Sequence, residues 1–351
     1  MSIDVFDFFS GCGGTSSGFR LAGFNIKMGL DIDADSKNTF QFNFPKASFI
    51  NEDIRQVHES SIAKLIGKRK KPILFSGCAP CQPFSKQNRQ SDPADSRINL
   101  LDEFGRFIKE WNPEYVFVEN VPGMQKKAAK SETFQRFLKL LSSLGYMYDT
   151  QIVEAQWFGV PQKRSRLVLL ASLKSNISIP IRTHGTEDKN YSTVAEWISG
   201  LPPLESGQTD PEDLDHFALK LSPTNLERIR STPEGGGREF WPDRLILDCH
   251  KGYSGHSDVY GRLSWNKPAV GLTTKCISYS NGRFGHPDQD RALSLREAAC
   301  LQTFPRDFVF SGSKQSRARQ VGNAVPPLMA LAIGQQILDH SKSSSKSSRT
   351  A

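Results

Sequence analysis

The chain has 351 residues, which is enough for a sizeable core and for two domains. Hydrophobic residues make up 37% and charged residues 23%, and no run approaches the roughly 18 apolar residues of a membrane span, so we expect a soluble protein without membrane contact. The N-terminus has no basic region before its apolar stretch and the six cysteines are irregularly spaced, which predicts a reduced, cytoplasmic protein without a signal peptide.

The net charge of +8 favours an acidic partner such as nucleic acid. Residues 180–268 carry a net charge of −4, so the remainder of the chain carries +12. If the partner is DNA, most of the attraction for its phosphates therefore comes from outside this central segment.

A first buried strand is predicted over residues 3–9, followed by a glycine-rich turn at 10–18 and a short helix. Strand, glycine turn and helix together are typical of a site for a nucleotide-shaped ligand, although an ordinary tight turn has the same pattern. The missing Gly-Lys-Ser/Thr triplet argues against a phosphate-binding P-loop. Asp31 ends the next apolar run about 20 residues later, where an acid can bind both ribose hydroxyls. A plain solvated acid is the alternative.

A third strand is predicted near residues 48–50, with Asp53 at its end. This carboxylate could accept a hydrogen bond from an adenine amino group. An acid that caps a helix would have the same position in the sequence, and the sequence does not choose between the two.

The stretch at 75–85, FSGCAPCQPFS, follows a buried strand and contains a glycine and two prolines, so it predicts a loop at a carboxyl-terminal strand end. We expect Cys81 to be a nucleophile that attacks a nucleic-acid base. A buried structural cysteine and a redox pair with Cys78 are the alternatives. A metal site is not expected, because no second cysteine pair has matching spacing. Residues 86–99 are polar and aperiodic, which predicts a mobile lid.

A helix over 100–110 and a strand over 115–118 lead to Glu119, an acid at a strand end and hence a candidate site residue. Further on, Arg164 and Arg166 alternate into another predicted strand. Alternation places both on one face, which suits a phosphate or a carbonyl oxygen.

The segment 180–268 is rich in Pro, Gly and turn residues and predicts an irregular second domain. Arg238 lies on a flexible loop, where it could contact a guanine edge or extend into solvent.

A helix with a capping box at Ser294 and Glu297 is predicted next, then a final apolar helix. The Ser-rich end predicts disorder.

Eight segments together resemble the DNA cytosine-5 methyltransferase family, in the order of that family's motifs and over residues 4 to about 338. The segments are DFFSGCGGTSSGF, GLDID, EDI, GCAPCQPFS, ENVPG, GVPQKRSR, RALSLREAACLQTFP and QVGNAVPP. Two departures are visible: Cys78-Ala79 replaces the commoner Gly-Pro or Gly-Phe, and Gly271 stands where many relatives have Thr. The second could change how firmly the pocket of the target base is packed.

The resemblance implies an α/β, Rossmann-like S-adenosylmethionine-dependent methyltransferase sheet with helices on both faces, plus a smaller irregular target-recognition domain. The expected boundaries are 1–178 for the catalytic domain, 179–311 for target recognition, 312–338 for a helix that returns to the catalytic domain, and 339–351 for a disordered tail.

The resemblance also implies the chemistry. Cys81 would bond to C6 of a flipped-out cytosine, Glu119 would hold or protonate N3, Arg166 would bind O2, and Arg164 would support a phosphate or Glu119. No residue is assigned as the base that removes the C5 proton. The implied cofactor is S-adenosyl-L-methionine, with S-adenosyl-L-homocysteine as product and no metal. Its expected contacts are Phe9, Gly11, Gly13, Gly14, Asp31, Ile32, Asp53, Ile54, Leu100, Asn323 and Val325. The expected DNA contacts are Gln82, Ser85, Arg89, Arg97 and Arg238.

The implied partner is duplex DNA, bound by a monomer in the cytoplasm at the nucleoid. A cognate restriction endonuclease in the same system is a possible further partner, which the sequence does not decide. A tRNA cytosine-5 methyltransferase of the same fold, a catalytically silent DNA-binding relative and an NAD-dependent oxidoreductase are the alternatives. A recognition domain of this size favours DNA over tRNA, and the intact Cys81, Glu119 and Arg166 disfavour a silent relative. The oxidoreductase would leave the Pro-Cys-Gln and Glu-Asn-Val motifs unexplained.

Overall fold

The structure is a computed structural model that describes residues 2–79, 99–122, 128–251, 255 and 258–347, with the backbone alone at 128–131 and 345–347. It contains two compact units, each described by itself. The first unit comprises Met1–Ala155, Ser165–Arg182 and Val325–Ala351, and the second comprises Gln156–Arg164 and Thr183–Ala324. These units are defined by contacts, so the functional boundaries at 178 and 311 stay predictions.

The first unit is built on a seven-stranded sheet. Its strands are β1 (Asp4–Phe8), β2 (Asn25–Leu30), β3 (Ser48–Ile50), β4 (Ile73–Gly77), β5 (Tyr115–Asn120), β6 (Met147–Glu154) and β8 (Ser165–Ser172). The order is β3-β2-β1-β4-β5-β8-β6; the first five strands are parallel, and β8 is antiparallel to both of its neighbours. The central strands are buried on both faces, which explains their nearly continuous apolar sequences.

Helices cover both faces of this sheet. They are α1 (Gly14–Leu21), α2 (Ala34–Asn43), α3 (Ala63–Ile66), α4 (Leu100–Trp111), α5 (Ala128–Ser143) and α10 (Pro327–Ser347). Phe8 packs its ring against Phe104 and Phe107 of α4, while on the other face Phe19 of α1 meets Phe117 of β5 edge-on. The sequence therefore correctly predicted an α/β sheet with helices on both faces.

The last helix, α10, packs on α1 so closely that a Cβ on Gly18 would lie 2.2 Å from the carbonyl oxygen of Pro327. Within the described part of the chain, Lys314–Ser344 is the one stretch whose length and composition would allow a membrane span, and 56% of its apolar window is buried inside the protein. This burial is what a core helix requires.

The end of α10 differs from the expected tail, because residues 339–347 are helical. His340 explains the difference: Tyr115 lies 3.1 Å from its Nδ1 and Ser175 lies 2.8 Å from its Nε2, so the sheet holds this end of the helix. Residues 348–351 lie outside the described residues.

The second unit has shorter elements, as its sequence predicted. They are α6 (Val194–Ile198), α7 (Pro223–Arg230), α8 (Leu295–Leu301), α9 (Lys314–Asn323) and a parallel pair of strands, β7 (Gln162–Lys163) and β9 (Ala269–Val270). The predicted capping box of α8 is confirmed: Ser294 accepts from the Glu297 backbone N–H, and the Glu297 side chain accepts from the Ser294 N–H.

Candidate active site

Four parallel strands, β1, β2, β4 and β5, end at one edge of the sheet, and the antiparallel β8 begins there. Polar and glycine-rich segments that follow or precede these strand ends are therefore brought to one place. The predicted glycine turn, Asp31, the segment before Cys81, Glu119 and Arg166 all belong to this edge.

The glycine-rich turn bends sharply between β1 and α1. Phe9, Gly11 and Gly13 have φ values of 55°, 50° and 96°, in the left-handed region that favours glycine. A Cβ on Gly13 would also lie 2.5 Å from the Phe44 ring, so only glycine fits there. Gly14 is the first residue of α1, and no side chain caps this helix start. The turn thus presents the N-terminus of a helix at the carboxyl edge of the sheet.

Asp31 is linked to the glycine turn. Its Oδ2 accepts from the Gly11 N–H at 2.9 Å and its Oδ1 accepts from the Asp33 N–H at 2.9 Å. Burial raises the pKa of Asp31. The next side chain, Ile32, is 67% exposed, which is unusual for a large apolar group beside a half-buried acid. A carboxylate has about four acceptor positions, so Asp31 can also accept hydrogen bonds from the hydroxyls of a ligand.

Asp53 caps a short helical turn, which was the alternative to its expected contact with an adenine amino group. Its carboxylate accepts from the Arg55 N–H at 3.0 Å at the start of a 3-10 turn, and its ion pair with Arg55 lowers the pKa of Asp53. Ile54 and Leu100 are 2% and 7% exposed and belong to the core of the first unit, against which Phe9 packs. Cofactor contacts by these residues stay predictions.

Asp7 was missed as a polar group of this region, because its sequence context is a buried strand. It is fully buried, and its carboxylate accepts from Ser16 Oγ of α1 at 2.7 Å and from Ser76 Oγ of β4 at 2.8 Å. Burial raises the pKa of Asp7 to about 6, against the lowering effect of these hydrogen bonds. An acid inside an apolar run was the available signal. Asp7 joins the first turn of α1 to the strand that leads to the cysteine segment.

The segment that leads to Cys81 is held by Asn120, a second residue that sequence reasoning did not assign. The Asn120 Nδ2 donates to the Ala79 carbonyl oxygen at 3.2 Å, and its Oδ1 accepts from the Val121 N–H at 2.7 Å. Because Asn120 is the neighbour of Glu119 in β5, this contact ties the candidate acid to the cysteine segment. The sequence feature that could have identified Asn120 is its position directly after Glu119 at the end of the strand.

Cys78 is a thiol whose Sγ lies 3.6 Å from Thr15 Oγ1. Burial, and then the negative charges of Glu119 and Asp7, raise the pKa of Cys78 well above its usual value. Cys78 is therefore protonated at neutral pH and is a poor nucleophile.

Five predicted residues lie outside the described residues: Cys81, Gln82, Ser85, Arg89 and Arg97.

Glu119 and Arg166 form an ion pair, with Oε1 2.6 Å from Nε and side chains that are 11% and 16% exposed. Antiparallel pairing of β5 with β8 brings them together, since Asn120 lies opposite Leu167. The Nη1 of Arg166 donates to the Ser165 carbonyl oxygen at 2.7 Å. The arrangement presents a carboxylate with a fixed orientation at the edge of the sheet.

Arg164 does not share a strand face with Arg166, so that prediction is wrong. It lies between β7 and β8, and the second unit binds its buried guanidinium through three carbonyl oxygens: Leu272 at 2.8 Å, Gly322 at 3.0 Å and Ala324 at 3.3 Å. The break between the two strands interrupts the alternation on which the prediction depended.

Arg238 is half-buried rather than a solvated tip. Its Nη1 lies 2.8 Å from His250 Nδ1 and its Nη2 donates to the Gly255 carbonyl oxygen at 2.7 Å, which fixes its direction within the second unit. Asn323 is exposed at the end of α9, and Val325 is buried at the start of the last segment of the first unit.

Comparisons with known proteins identify the family of this chain. The family model described as C-5 cytosine-specific DNA methylase matches residues 3–339. The Type II methylase M.HgiDII of Herpetosiphon aurantiacus is 41% identical over 339 residues, which cover 95% of this chain and 94% of that protein. The Type II methyltransferase M1.HphI of Haemophilus parahaemolyticus is 34% identical, with 96% of this chain and 87% of that protein covered.

A solved structure supports the same assignment. A protein described as a DNA modification methyltransferase encoded within an E. coli prophage superposes with a TM-score of 0.76 at 26% identity, covering 96% of this chain and 99% of that chain. The fold, the order of the strand-end residues and the family match across nearly the whole sequence agree. The chain therefore belongs to the C-5 cytosine-specific DNA methylase family.

Proposed function

We propose that the protein methylates C5 of a cytosine flipped out of a specific duplex DNA sequence, through a transient covalent bond between Cys81 and C6. One observation carries the proposal. Asn120 binds the Ala79 carbonyl oxygen, so the segment two residues before Cys81 is tied to the strand end where Glu119 pairs with Arg166. A nucleophile and an acid are then supplied by neighbouring strands, as addition across a pyrimidine double bond needs.

S-adenosylmethionine fits the glycine turn and Asp31. The left-handed glycines allow the backbone to approach a ligand closely, and nothing lies within 4 Å of the Cβ position of Gly11. Asp31 would bind the ribose hydroxyls, Ile32 would cover a face of the adenine, and Gly13 and Gly14 would border the methionine end. When bound, S-adenosylmethionine supplies a methyl group on a positively charged sulfur.

The chain's own residues make C5 reactive. The Cys81 thiolate donates an electron pair to C6, the C5–C6 π electrons shift to form a C4–C5 double bond, and the C4–N3 pair moves onto N3, where Glu119 supplies the proton. The ring is then an enamine whose nucleophilic carbon is C5. Arg166 orients Glu119 through Nε and would bind O2 through its remaining N–H groups. After C5 has been methylated, N3 returns its proton to Glu119, and loss of the C5 proton to a base restores the C5–C6 double bond and expels Cys81 as a thiolate.

The base must leave the helix stack before this chemistry can take place, because C6 and C5 are inaccessible inside a duplex. Gln82, Ser85, Arg89 and Arg97 would contact the DNA around the vacated position. Arg238 would contact a base edge from the second unit, where His250 and Gly255 already hold its guanidinium. Arg164 would act indirectly, by fixing the backbone of the second unit.

We further propose that the protein acts as a monomer on chromosomal DNA in the cytoplasm, and that a restriction endonuclease of the same specificity accompanies it. The support is that the similar proteins M.HgiDII and M1.HphI are named as Type II enzymes. DNA from cells that express this protein would then resist one sequence-specific endonuclease and carry 5-methylcytosine at that sequence.

The direct experiment incubates the purified full chain with labelled S-adenosylmethionine and either duplex DNA or tRNA. We expect label at C5 of cytosine in duplex DNA, and a covalent protein–DNA adduct when the target cytosine carries fluorine at C5. Cys81→Ser should lose both signals. Cys78→Ser is the matched control, three residues away, and should keep both because its thiol is protonated.

Two results would contradict the proposal. Normal methylation by the Cys81→Ser protein would exclude the covalent mechanism. Label that appears in tRNA alone would favour the tRNA enzyme of the same fold instead.

A further inference from the structure

A separate cavity of about 290 Å³ lies in the first unit at the amino-terminal side of the sheet. The carboxyl ends of the same strands carry the candidate active site, so the two places lie at opposite ends of β1, β2 and β4. The cavity is lined by Asp4, Phe6, Lys27, Leu65, Ile66, Gly67, Lys68, Arg69, Lys70, Lys71 and Ile73.

The lining has a strong excess of positive charge. Lys27, Lys68, Lys70 and Lys71 make no ion pair within the described residues, and Lys27 is half-buried on β2. The single acid of the lining, Asp4, accepts a hydrogen bond from the Asn25 side chain. Four ammonium groups around one concave surface repel each other, and a bound anion would relieve this repulsion.

The loop that carries three of these lysines is anchored by Arg69. Its Nη1 donates to the Trp111 carbonyl oxygen at 3.0 Å, and its Nη2 donates to the Asn112 carbonyl oxygen at 2.6 Å and to Glu114 Oε2 at 2.9 Å. The positive charge of Arg69 is thereby compensated by Glu114 and is not available to a ligand. Its anchoring holds Lys68 and Lys70, the residues on either side, at the cavity.

The shape and polarity indicate the kind of ligand. About 300 Å³ is the lower limit of small-molecule pockets, so the cavity suits part of a nucleotide and is too small for a bulky cofactor. Leu65 and Ile66 supply an apolar wall beside the lysines. Ammonium groups bind phosphate oxygens as point charges, without the bidentate geometry that arginine provides.

We propose that this cavity is a second, non-catalytic site that binds a small molecule carrying phosphate groups, of the nucleoside triphosphate or pyrophosphate class. The proposal does not depend on the methyltransferase chemistry. It depends on the unpaired lysines, on the anchored loop and on the cavity at the opposite edge from the cysteine segment.

Calorimetric titration of the full chain tests the proposal, with ATP, inorganic pyrophosphate and a short duplex DNA as separate probes. Saturating S-adenosylhomocysteine is present to occupy the candidate adenosine site. We expect ATP or pyrophosphate to bind the wild-type protein, and Lys27→Glu/Lys68→Glu/Lys70→Glu to weaken that binding by at least about tenfold. Arg69 is left intact because it anchors the loop.

The matched control is Lys46→Glu/Lys109→Glu/Lys139→Glu, which makes the same change in net charge on exposed lysines of the first unit outside the cavity. It should bind ATP and pyrophosphate as the wild type does. A milder variant, Lys27→Gln/Lys68→Gln/Lys70→Gln, serves if the charge-reversed protein does not fold.

Three results would overturn the proposal. They are the absence of binding by wild type at millimolar ATP and pyrophosphate, equal binding by the cavity and control variants, and a loss in the cavity variant that affects duplex DNA alone. Titration with S-adenosylhomocysteine alone reports separately on the candidate cofactor site.

Discussion

Glu119 Oε1 lies 2.6 Å from Arg166 Nε across the antiparallel pair of β5 and β8. Both side chains are mostly buried, so the guanidinium limits the carboxylate to one orientation. The same strand end supplies Asn120, which holds the backbone before Cys81. In the proposed mechanism, an acid at this position would act on the base that Cys81 attacks.

Replacement of Glu119 by Gln should remove the group that holds a proton at N3 while it preserves the shape of the side chain. We expect the rate of methyl transfer to fall by roughly 10²–10⁴-fold, the range of general acid–base contributions. Single-turnover assays measure this rate, and titration with S-adenosylhomocysteine should show unchanged affinity. Glu110→Gln, an exposed glutamate on α4, is the control. Undiminished turnover by Glu119→Gln would remove this residue from the mechanism.

Replacement of Asp31 by Ala should weaken cofactor binding, because the carboxylate both anchors Gly11 and faces the proposed ribose position. We expect the affinity for S-adenosylhomocysteine to fall by about 10- to 100-fold, the effect of losing one or two hydrogen bonds to a charged group. Calorimetry measures the affinity. Asp35→Ala, in the first turn of α2, should leave it unchanged. Equal affinity in the Asp31 and Asp35 variants would contradict the assignment.

Asp7 predicts a pH dependence of stability. Burial raises the pKa of Asp7 from its ordinary value of 3.8 to about 6, so between these values the folded protein binds more protons than the unfolded chain. The stabilising contribution of the protonated acid is complete below the unfolded pKa and disappears as the pH rises through the folded pKa. A shift of this size corresponds to about 3 kcal/mol.

Asp7→Asn cannot titrate, so the difference in unfolding free energy between wild type and this variant isolates the effect. We expect wild type to lose about 3 kcal/mol relative to the variant between about pH 3, below the unfolded pKa, and about pH 7. Denaturant unfolding at several pH values measures the difference. Asp102→Asn, which removes an acid whose side chain is 36% exposed, should not reproduce the curve. A difference that is independent of pH would show that folding does not raise the pKa of Asp7.

The second unit depends on a buried ion pair. Glu297 binds both terminal nitrogens of the fully buried Arg291 at 2.7 Å and also caps α8. Burial alone would raise the pKa of Glu297, but hydrogen bonds from Arg291 and its charge hold that pKa below its usual value. His286 lies beside Glu297, and burial lowers the pKa of His286 to about 4. At neutral pH His286 is therefore uncharged, and Arg291 is the positively charged partner of Glu297.

Glu297→Gln leaves Arg291 without its counter-charge and should destabilise the protein by about 3–5 kcal/mol. Glu227→Gln breaks an ion pair with Arg244 whose side chains are 50% and 68% exposed, and should cost less than about 1 kcal/mol. Thermal unfolding of the two variants makes the comparison. Similar melting temperatures would mean that water reaches the Arg291 pair.

The positions of the buried strands along the chain and their polar ends were predictable from local sequence. Apolar runs of five or six residues that stop at Gly, Asp or Glu mark buried parallel strands, and these strands bring their ends together at one edge. Asp31 and Glu119 were identified in this way, and the capping box at Ser294 was read from two residues three positions apart.

The partners of the polar side chains were decided by tertiary structure. Asn120 reaches Ala79 over 41 positions of sequence, Ser76 reaches Asp7 over 69, and Arg164 reaches Gly322 over 158. Local spacing determines the face on which a side chain begins, but a hydrogen bond depends on atoms that only the packed sheet and loops bring within hydrogen-bonding distance. Arg164 was therefore assigned to the wrong neighbours, while the strand that follows it was assigned correctly.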